Sequence, residues 1–390
     1  MSRVAFLTTL AGYAHWRLTG ENVLSVGDAS GMFPIDSAKH GYDRTMLAKF
    51  DELVAAKGMS WKVEDLLPRV LVVGEQAGTL TPEGAALLDA SGEREAGCPL
   101  CPPEGDVGTG MIATNSVALR TGNVSAGTSV FSMVVLERAL KDAVRPEIDL
   151  VTTPVGDLVA MLHCNSCTSD INDWVDLLAD NSHVMGQPVD KGDIYARLFN
   201  EALAGDKDSG GLISMPFISG ETVTGVTTGY PMAVRTSNAR LTAANFMRMH
   251  IMAAFESFAS GNEALREEGV AIDKLYGHGG IFKTSKVAQS VLAATLEAPV
   301  TAMETVGEGG AWGQAVAAAY MLHRESGESL SGYLAAHVFG SVRSVTLEPD
   351  DANVAGYREF LARFKRANEA EKTAEAAFGA KTASPPPHLT

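Results

Sequence analysis

Apolar positions recur at helical spacing over residues 4–18, and the run stops at Thr19-Gly20, where glycine supplies a left-handed cap. The same spacing resumes over 42–56, after a polar turn at Asp28-Ala29-Ser30-Gly31. Residues 69–73 read as a short strand closed by Gly74. Thr81-Pro82 then opens a helix through Leu88, with threonine at the cap and proline at the first helical position. From Asn123 the texture changes. Strand-like runs at 124–126 and 130–135 flank Gly127-Thr128-Ser129, and runs at 151–153 and 158–162 bracket Gly156-Asp157 as a hairpin. Helical spacing dominates 170–178, 193–203 and one long stretch over 242–265. Leu275-Tyr276-Gly277-His278 is a strand breaking into Gly279-Gly280. A helix over 285–296, a strand over 299–302 and a helix over 311–322 follow. Strands alternating with helices predict α/β layering. Residues 369–390 lose apolar periodicity, pass through Ser384-Pro385-Pro386-Pro387, and are predicted to be a disordered tail.

At 390 residues the chain is too long for one core and suits two lobes; 46% hydrophobic and 20% charged residues are ordinary for a globular protein. No apolar run approaches the roughly 18–20 residues needed to cross a bilayer. The N-terminal decapeptide lacks a small-residue cleavage site, so the expected location is cytoplasmic, away from any membrane. A net charge of -16 argues against nucleic acid as partner, because phosphate backbones require clustered Lys and Arg. An anionic nucleotide remains possible through backbone N–H groups and a metal ion.

The four cysteines form two pairs, Cys98-x-x-Cys101 and Cys164-x-x-Cys167. That is zinc-site arithmetic, yet the pairs lie far apart and Pro99, Pro102 and Pro103 stiffen the first. Reduced thiols are the default and a zinc-binding scaffold an open alternative.

Three segments are candidates for chemistry. Pro102-Pro103-Glu104-Gly105-Asp106-Val107-Gly108 presents a carboxylate between glycines that would let a ligand approach the backbone. An aspartate within reach of a hydroxyl is a usual general base, and the alternative is a helix-capping aspartate. Gly127-Thr128-Ser129 offers N–H and O–H donors to phosphate oxygens, or is an ordinary turn. Gly279-Gly280 would admit the flat face of a nucleotide and offer the start of the helix containing Gln289, or is a tight turn. Neither GxxxxGK[ST] nor GxGxxG is present. Glu308-Gly309-Gly310-Ala311 would pack backbone against the same ligand, and His163 and His278 are left out of the chemistry.

In their order these segments resemble the FGGY family of carbohydrate kinases. The resemblance runs from Ala14-His15-Trp16-Arg17-Leu18-Thr19-Gly20 and Asp28-Ala29-Ser30-Gly31 through Glu104-Gly105-Asp106 and Gly127-Thr128-Ser129. It continues in Met215-Pro216-Phe217-Ile218-Ser219-Gly220-Glu221 and Gly279-Gly280, and closes with Glu308-Gly309-Gly310-Ala311-Trp312-Gly313-Gln314-Ala315. The resemblance implies a two-lobed, actin-like (ribonuclease H-like) α/β ATPase fold with ATP and a small sugar meeting between the lobes. It implies Asp106 as base, Gly127, Thr128 and Ser129 at the phosphates, Gly279 and Gly280 at adenosine, and Mg²⁺ with the ATP. A ketopentose is the expected acceptor.

Family members begin with a strand-rich half-lobe carrying an Asp-x-Gly-Thr loop, a pattern that Met1 to Gly20 lacks. The expected division is a remnant of the N-terminal lobe over 1–118, a C-terminal lobe over 119–368 and the tail. An incomplete first lobe implies an open sheet edge, impaired activity, and self-association or a separate chain supplying the half-lobe. A non-catalytic, ATP-binding regulatory protein of the same fold is the alternative.

Overall fold

The strand-like runs from Asn123 onward join into one seven-stranded sheet in the computed structural model, which describes residues 4–141, 145–221, 223–284, 286–304 and 309–379. Its strands are β1 (Thr121–Ala126), β2 (Val130–Val135), β3 (Asp149–Thr152), β4 (Leu158–Cys164), β5 (Lys274–His278), β6 (Val300–Met303) and β7 (Ser344–Leu347). Their order is β7-β6-β5-β1-β2-β4-β3. β1, β5 and β6 are parallel, with His278 opposite Ser125 and Leu275 opposite Val300. The remaining neighbours are antiparallel.

Helices that matter below are α1 (Leu10–Thr19), α2 (Asp106–Ala113), α3 (Ala243–Ala253), α4 (Glu256–Glu267), α5 (Val287–Leu296), α6 (Gly310–His323) and α7 (Asp351–Phe378). Alternation along β2 feeds two cores. Val130 and Val134 join Phe255, Phe258, Leu292 and Phe360 on one face of the sheet, while Met133 and Val135 join Met111, Ile112, Val316 and Tyr320 on the other. Burial on both faces is why β2 and β4 read as nearly continuous apolar runs. On the second face α2 and α6 meet backbone to backbone: a methyl group at Gly313 would stand 2.1 Å from the Thr109 carbonyl oxygen.

The residues before α2 are built more sparsely. Val23–Ser25 and Arg69–Leu71 form a two-stranded parallel pair with a small cluster of Val23, Leu71 and Ala77. Thr152 on β3 ties this region to the large sheet, its N–H on the Ser30 hydroxyl and its hydroxyl on the Val26 carbonyl, both at 3.0 Å.

Several expectations shift. α1 ends at Thr19 with Gly20 in the left-handed conformation (φ 78°), as expected, but begins at Leu10 because Thr9 caps it and the Leu7 N–H pairs with the Leu66 carbonyl. The long helix over 242–265 divides into α3 and α4 where Phe255 leaves helical geometry (φ -113°, ψ 11°). The tail expected from 369 is helical through Phe378. Glu371 accepts the Tyr230 N–H, and Glu375 accepts those of Thr227 and Thr228, so tertiary hydrogen bonds anchor what apolar periodicity does not. Ser285 and residues 380–390 lie outside the described residues. Among the described residues, no helix is long and apolar enough to cross a membrane.

Candidate functional site

β1 and β5 are parallel neighbours, so their C-terminal ends lie side by side, and both end in a glycine turn. In the first turn the Gly127 N–H bonds the Ser129 carbonyl (2.9 Å). The Gly127 carbonyl accepts the Thr168 hydroxyl (2.8 Å), and the Thr128 carbonyl accepts the Cys167 N–H (2.9 Å). With its carbonyls engaged by residues 167–168, the turn leaves Gly127 and Thr128 exposed at its tip. The second turn fits against the first. Gly279 has φ 105°, and a side chain there would stand 2.2 Å from the Ala126 carbonyl oxygen, so only glycine satisfies both backbone and space.

Gly280 lines a cavity of about 490 Å³ together with Thr168, Asn172, Tyr195, Phe199 and Ile281. Two aromatic rings and an isoleucine among a few polar groups are the furnishing of a small-molecule site. The Tyr195 hydroxyl is already donated to the Asn172 side chain. Thr168 belongs to both places, bonded to the first turn and facing the cavity beside the second. The expected helix start does not follow directly: Gly280–Lys283 makes a single 3₁₀ turn, and α5 begins at Val287. Gln289 is structural, its amide donated to the Val300 and Val345 carbonyls at 2.7 and 2.8 Å. His163 is exposed on β4, and burial holds His278 neutral by lowering its pKa to about 4.

Asp106 is the first residue of α2, with Gly105 at the cap, and its Oδ1 accepts the Val107 N–H at 2.9 Å. The capping reading of this residue does not hold: Gly105 takes the cap position, and no side chain caps the helix. The carboxylate sits at the positive end of a helix and is also exposed. α6 packs on this point, since a methyl group at Gly310 would lie 3.8 Å from the Asp106 Cα and 2.8 Å from Thr109 Oγ1. β6 runs parallel to β5 and precedes α6, so the start of α6, and Asp106 with it, belongs to the same C-terminal edge of the sheet as both glycine turns. Glu308 lies outside the described residues; Gly309 caps α6.

The glycines around Asp106 do a different job from the one expected. A methyl group at Gly108 or at Gly27 would come within 2.5 Å of the Glu104 carboxyl, and one at Gly105 within 3.1 Å of Asp28 Oδ1. Their space holds two further carboxyl groups, not a ligand. Glu104 is buried, and that burial raises its pKa to about 8. Asp28 is raised by burial, an effect opposed by the Thr9 hydroxyl donated to its Oδ2 (2.6 Å) and reinforced by the charge of Asp106. Sequence reasoning passed over both. The available signal was three glycines in two short segments that each carry an acid.

Cys98 is exposed; Cys101, Cys164 and Cys167 are buried thiols, and burial pushes Cys167 up to about 12. Cys101 Sγ accepts the Gln314 amide at 3.0 Å. Among the described residues, no three His, Cys, Asp or Glu side chains are grouped to hold a metal ion.

Residues 122–322 match the family model for the C-terminal domain of the FGGY family of carbohydrate kinases. No curated protein matches the chain. Among solved structures, xylulose kinase from Rhodospirillum rubrum superposes with a TM-score of 0.70 at 20% identity, covering 96% of this chain and 68% of that one. Gluconate kinase from Lactobacillus acidophilus gives 0.71 at 14% identity, over 95% of this chain and 69% of that one. Plasmodium falciparum glycerol kinase, solved with ADP, gives 0.68 at 13%, over 94% and 67%. At such identities these likenesses speak for the fold, which is the expected actin-like α/β architecture.

Proposed function

The chain belongs to the FGGY family of carbohydrate kinases, and from that premise we propose that it transfers the γ-phosphoryl group of ATP to a hydroxyl of a ketopentose or related polyol, with Asp106 as general base. ATP as donor and a small sugar as acceptor are what the family entails. The observation that carries the finer reading is the shared sheet edge. Two glycine turns in contact, a cavity of about 490 Å³ beside the second, and an exposed carboxylate all belong to it.

In this reading adenosine occupies the cavity against Gly279, Gly280, Tyr195 and Phe199, and the phosphates lie over Gly127, Thr128 and Ser129. Asp106 accepts the proton of the acceptor hydroxyl. The freed oxygen attacks the γ-phosphorus in line while the bond to ADP breaks. Helix α2 stabilises the charged base at its N-terminus. Mg²⁺ would offset the negative charge of the phosphates. It is usually held by one or two carboxylates plus phosphate and water, and among the described residues no three carboxylate, imidazole or thiol groups are clustered for it. Residues 1–118 and 119–368 would form the two sides of the cleft. The ketopentose rests on likeness to xylulose kinases alone.

Sugar-dependent ADP release, measured over xylulose, ribulose, gluconate and glycerol, tests this. Turnover with one of them, lost in Asp106→Asn while ADP still binds, is expected. Nucleotide affinity with no sugar dependence in the wild-type protein would replace the kinase with a regulatory ATP-binding protein.

A further inference from the structure

Glu104 belongs to none of the roles above, yet its surroundings are unusually specific. The segment leading to it is fixed from two sides. The Pro103 carbonyl accepts the Ser25 N–H at 2.9 Å, and the Pro102 carbonyl accepts the Gln314 amide of α6 at 3.2 Å. Both prolines are buried, and their fixed φ removes most remaining freedom. The side chain then turns under the start of α2. Its Oε1 accepts the Gly105 N–H at 2.9 Å, while its Oε2 is buried without a partner in strict hydrogen-bond geometry, with Ser25 beside it. Gly27 and Gly108 close on the carboxyl so tightly that a methyl group at either would come within 2.5 Å. A buried carboxyl enclosed by glycines from two elements, and bonded to the residue before the base, has a defined geometric task.

We propose that Glu104 is a positioning residue for Asp106: wedged between Gly27 and Gly108, its carboxyl braces the Gly105-Asp106 turn from behind and sets the direction in which the base points. The inference rests on the reading of Asp106 as base. The charge state supports it. Asp28 faces Glu104 from the helix Val26–Ser30, and Asp28 in turn faces Tyr42 and the Asp106 of α2. His15 of α1 and Cys101 share with it the lining of a cavity of about 450 Å³. His15 is bonded to the Ala77 carbonyl, and burial lowers its pKa, so it supplies no positive charge at neutral pH. Burial likewise keeps Glu104 protonated up to about pH 8. In that form it braces the turn without adding a third negative charge beside Asp28 and Asp106, where the phosphoryl group must arrive. Above that pH it ionises, repels Asp28, and strains its enclosure.

The test uses the full chain with ¹³C-carboxyl-labelled Glu and Asp. A glutamate titrating near pH 8 that vanishes in Glu104→Gln is expected, together with a movement of the Asp106 resonance over the same interval. In the kinetic arm, Glu104→Ala lowers kcat by about 10- to 100-fold with KM for ATP unchanged. Glu104→Gln keeps the acceptor for Gly105 and the shape of the protonated acid, so it restores most of the rate and removes the alkaline limb of the pH profile. An Asp106 resonance that ignores the titration, an unchanged alkaline limb in Glu104→Gln, or wild-type kcat in Glu104→Ala overturns the proposal. If Glu104→Ala fails to fold, the resonances and Glu104→Gln decide. A wild-type protein without turnover counts against Asp106 as base, whereas the carboxyl titration still reads the brace.

Discussion

Residues 121–378 and the residues before α2 are held by different means. In the former, a seven-stranded sheet carries an apolar core on each face, and the largest core gathers Phe199, Phe217, Phe255, Phe258, Phe360 and Phe364. In the latter, two short parallel strands share a cluster of three residues. The glycine turns proposed for the nucleotide stand on the first kind of structure, and the proposed base stands where the second kind meets it, on a helix docked to α6 through Gly310 and Gly313. A rigid sheet edge can present backbone donors with little help. A single carboxylate where the two regions meet needs local bracing, which in the proposed reading Glu104 and the glycines supply.

The largest effect that would sharpen this contrast lies at the base. Asp106→Asn should lower kcat by about 10²–10⁴-fold with Tm nearly unchanged, read by coupled ADP assay and calorimetry. On the sheet edge, Gly279→Ala must place a methyl group 2.2 Å from the Ala126 carbonyl at φ 105°. It should cost about 1–3 kcal/mol of stability and weaken ADP binding, measurable by denaturant titration and calorimetric binding. Equal loss of binding in Gly310→Ala, which crowds Thr109 and not the turns, would break the distinction between the two regions.

Next comes pH. Glu104 in one region and Glu256 in the other are both raised by burial from 4.5 to about 8. Each is protonated in the folded protein at neutral pH and ionised in the unfolded chain. Their contribution to stability is therefore complete below about pH 4.5 and is lost as pH rises through about 8. Tm should fall across that interval, and Glu104→Gln and Glu256→Gln should each flatten part of the slope. The smallest effect belongs to Gly20→Ala, where φ is 78° but nothing lies within 4 Å of the added methyl. A loss of about 1 kcal/mol, from backbone conformation alone, is expected in chemical denaturation.

What the amino-acid sequence determined by itself was local. Thr81-Pro82 and Thr19-Gly20 set helix ends through side-chain and backbone chemistry that needs no partner. The apolar runs of β2 and β4 marked strands, and the order of the glycine segments carried the family resemblance. Pairing was decided only in three dimensions. β7 and the strands Leu212–Met215 and Met232–Arg235 passed unremarked because four residues carry little periodicity. The helical continuation to Phe378 depends on Glu371 and Glu375 finding backbone donors some 140 residues away in the chain. The role of the glycines beside Asp106 was hidden for the same reason. A sequence shows that a side chain is missing, but which neighbour takes the space is settled when Gly27 and Gly108, far apart in the chain, close on one carboxyl group.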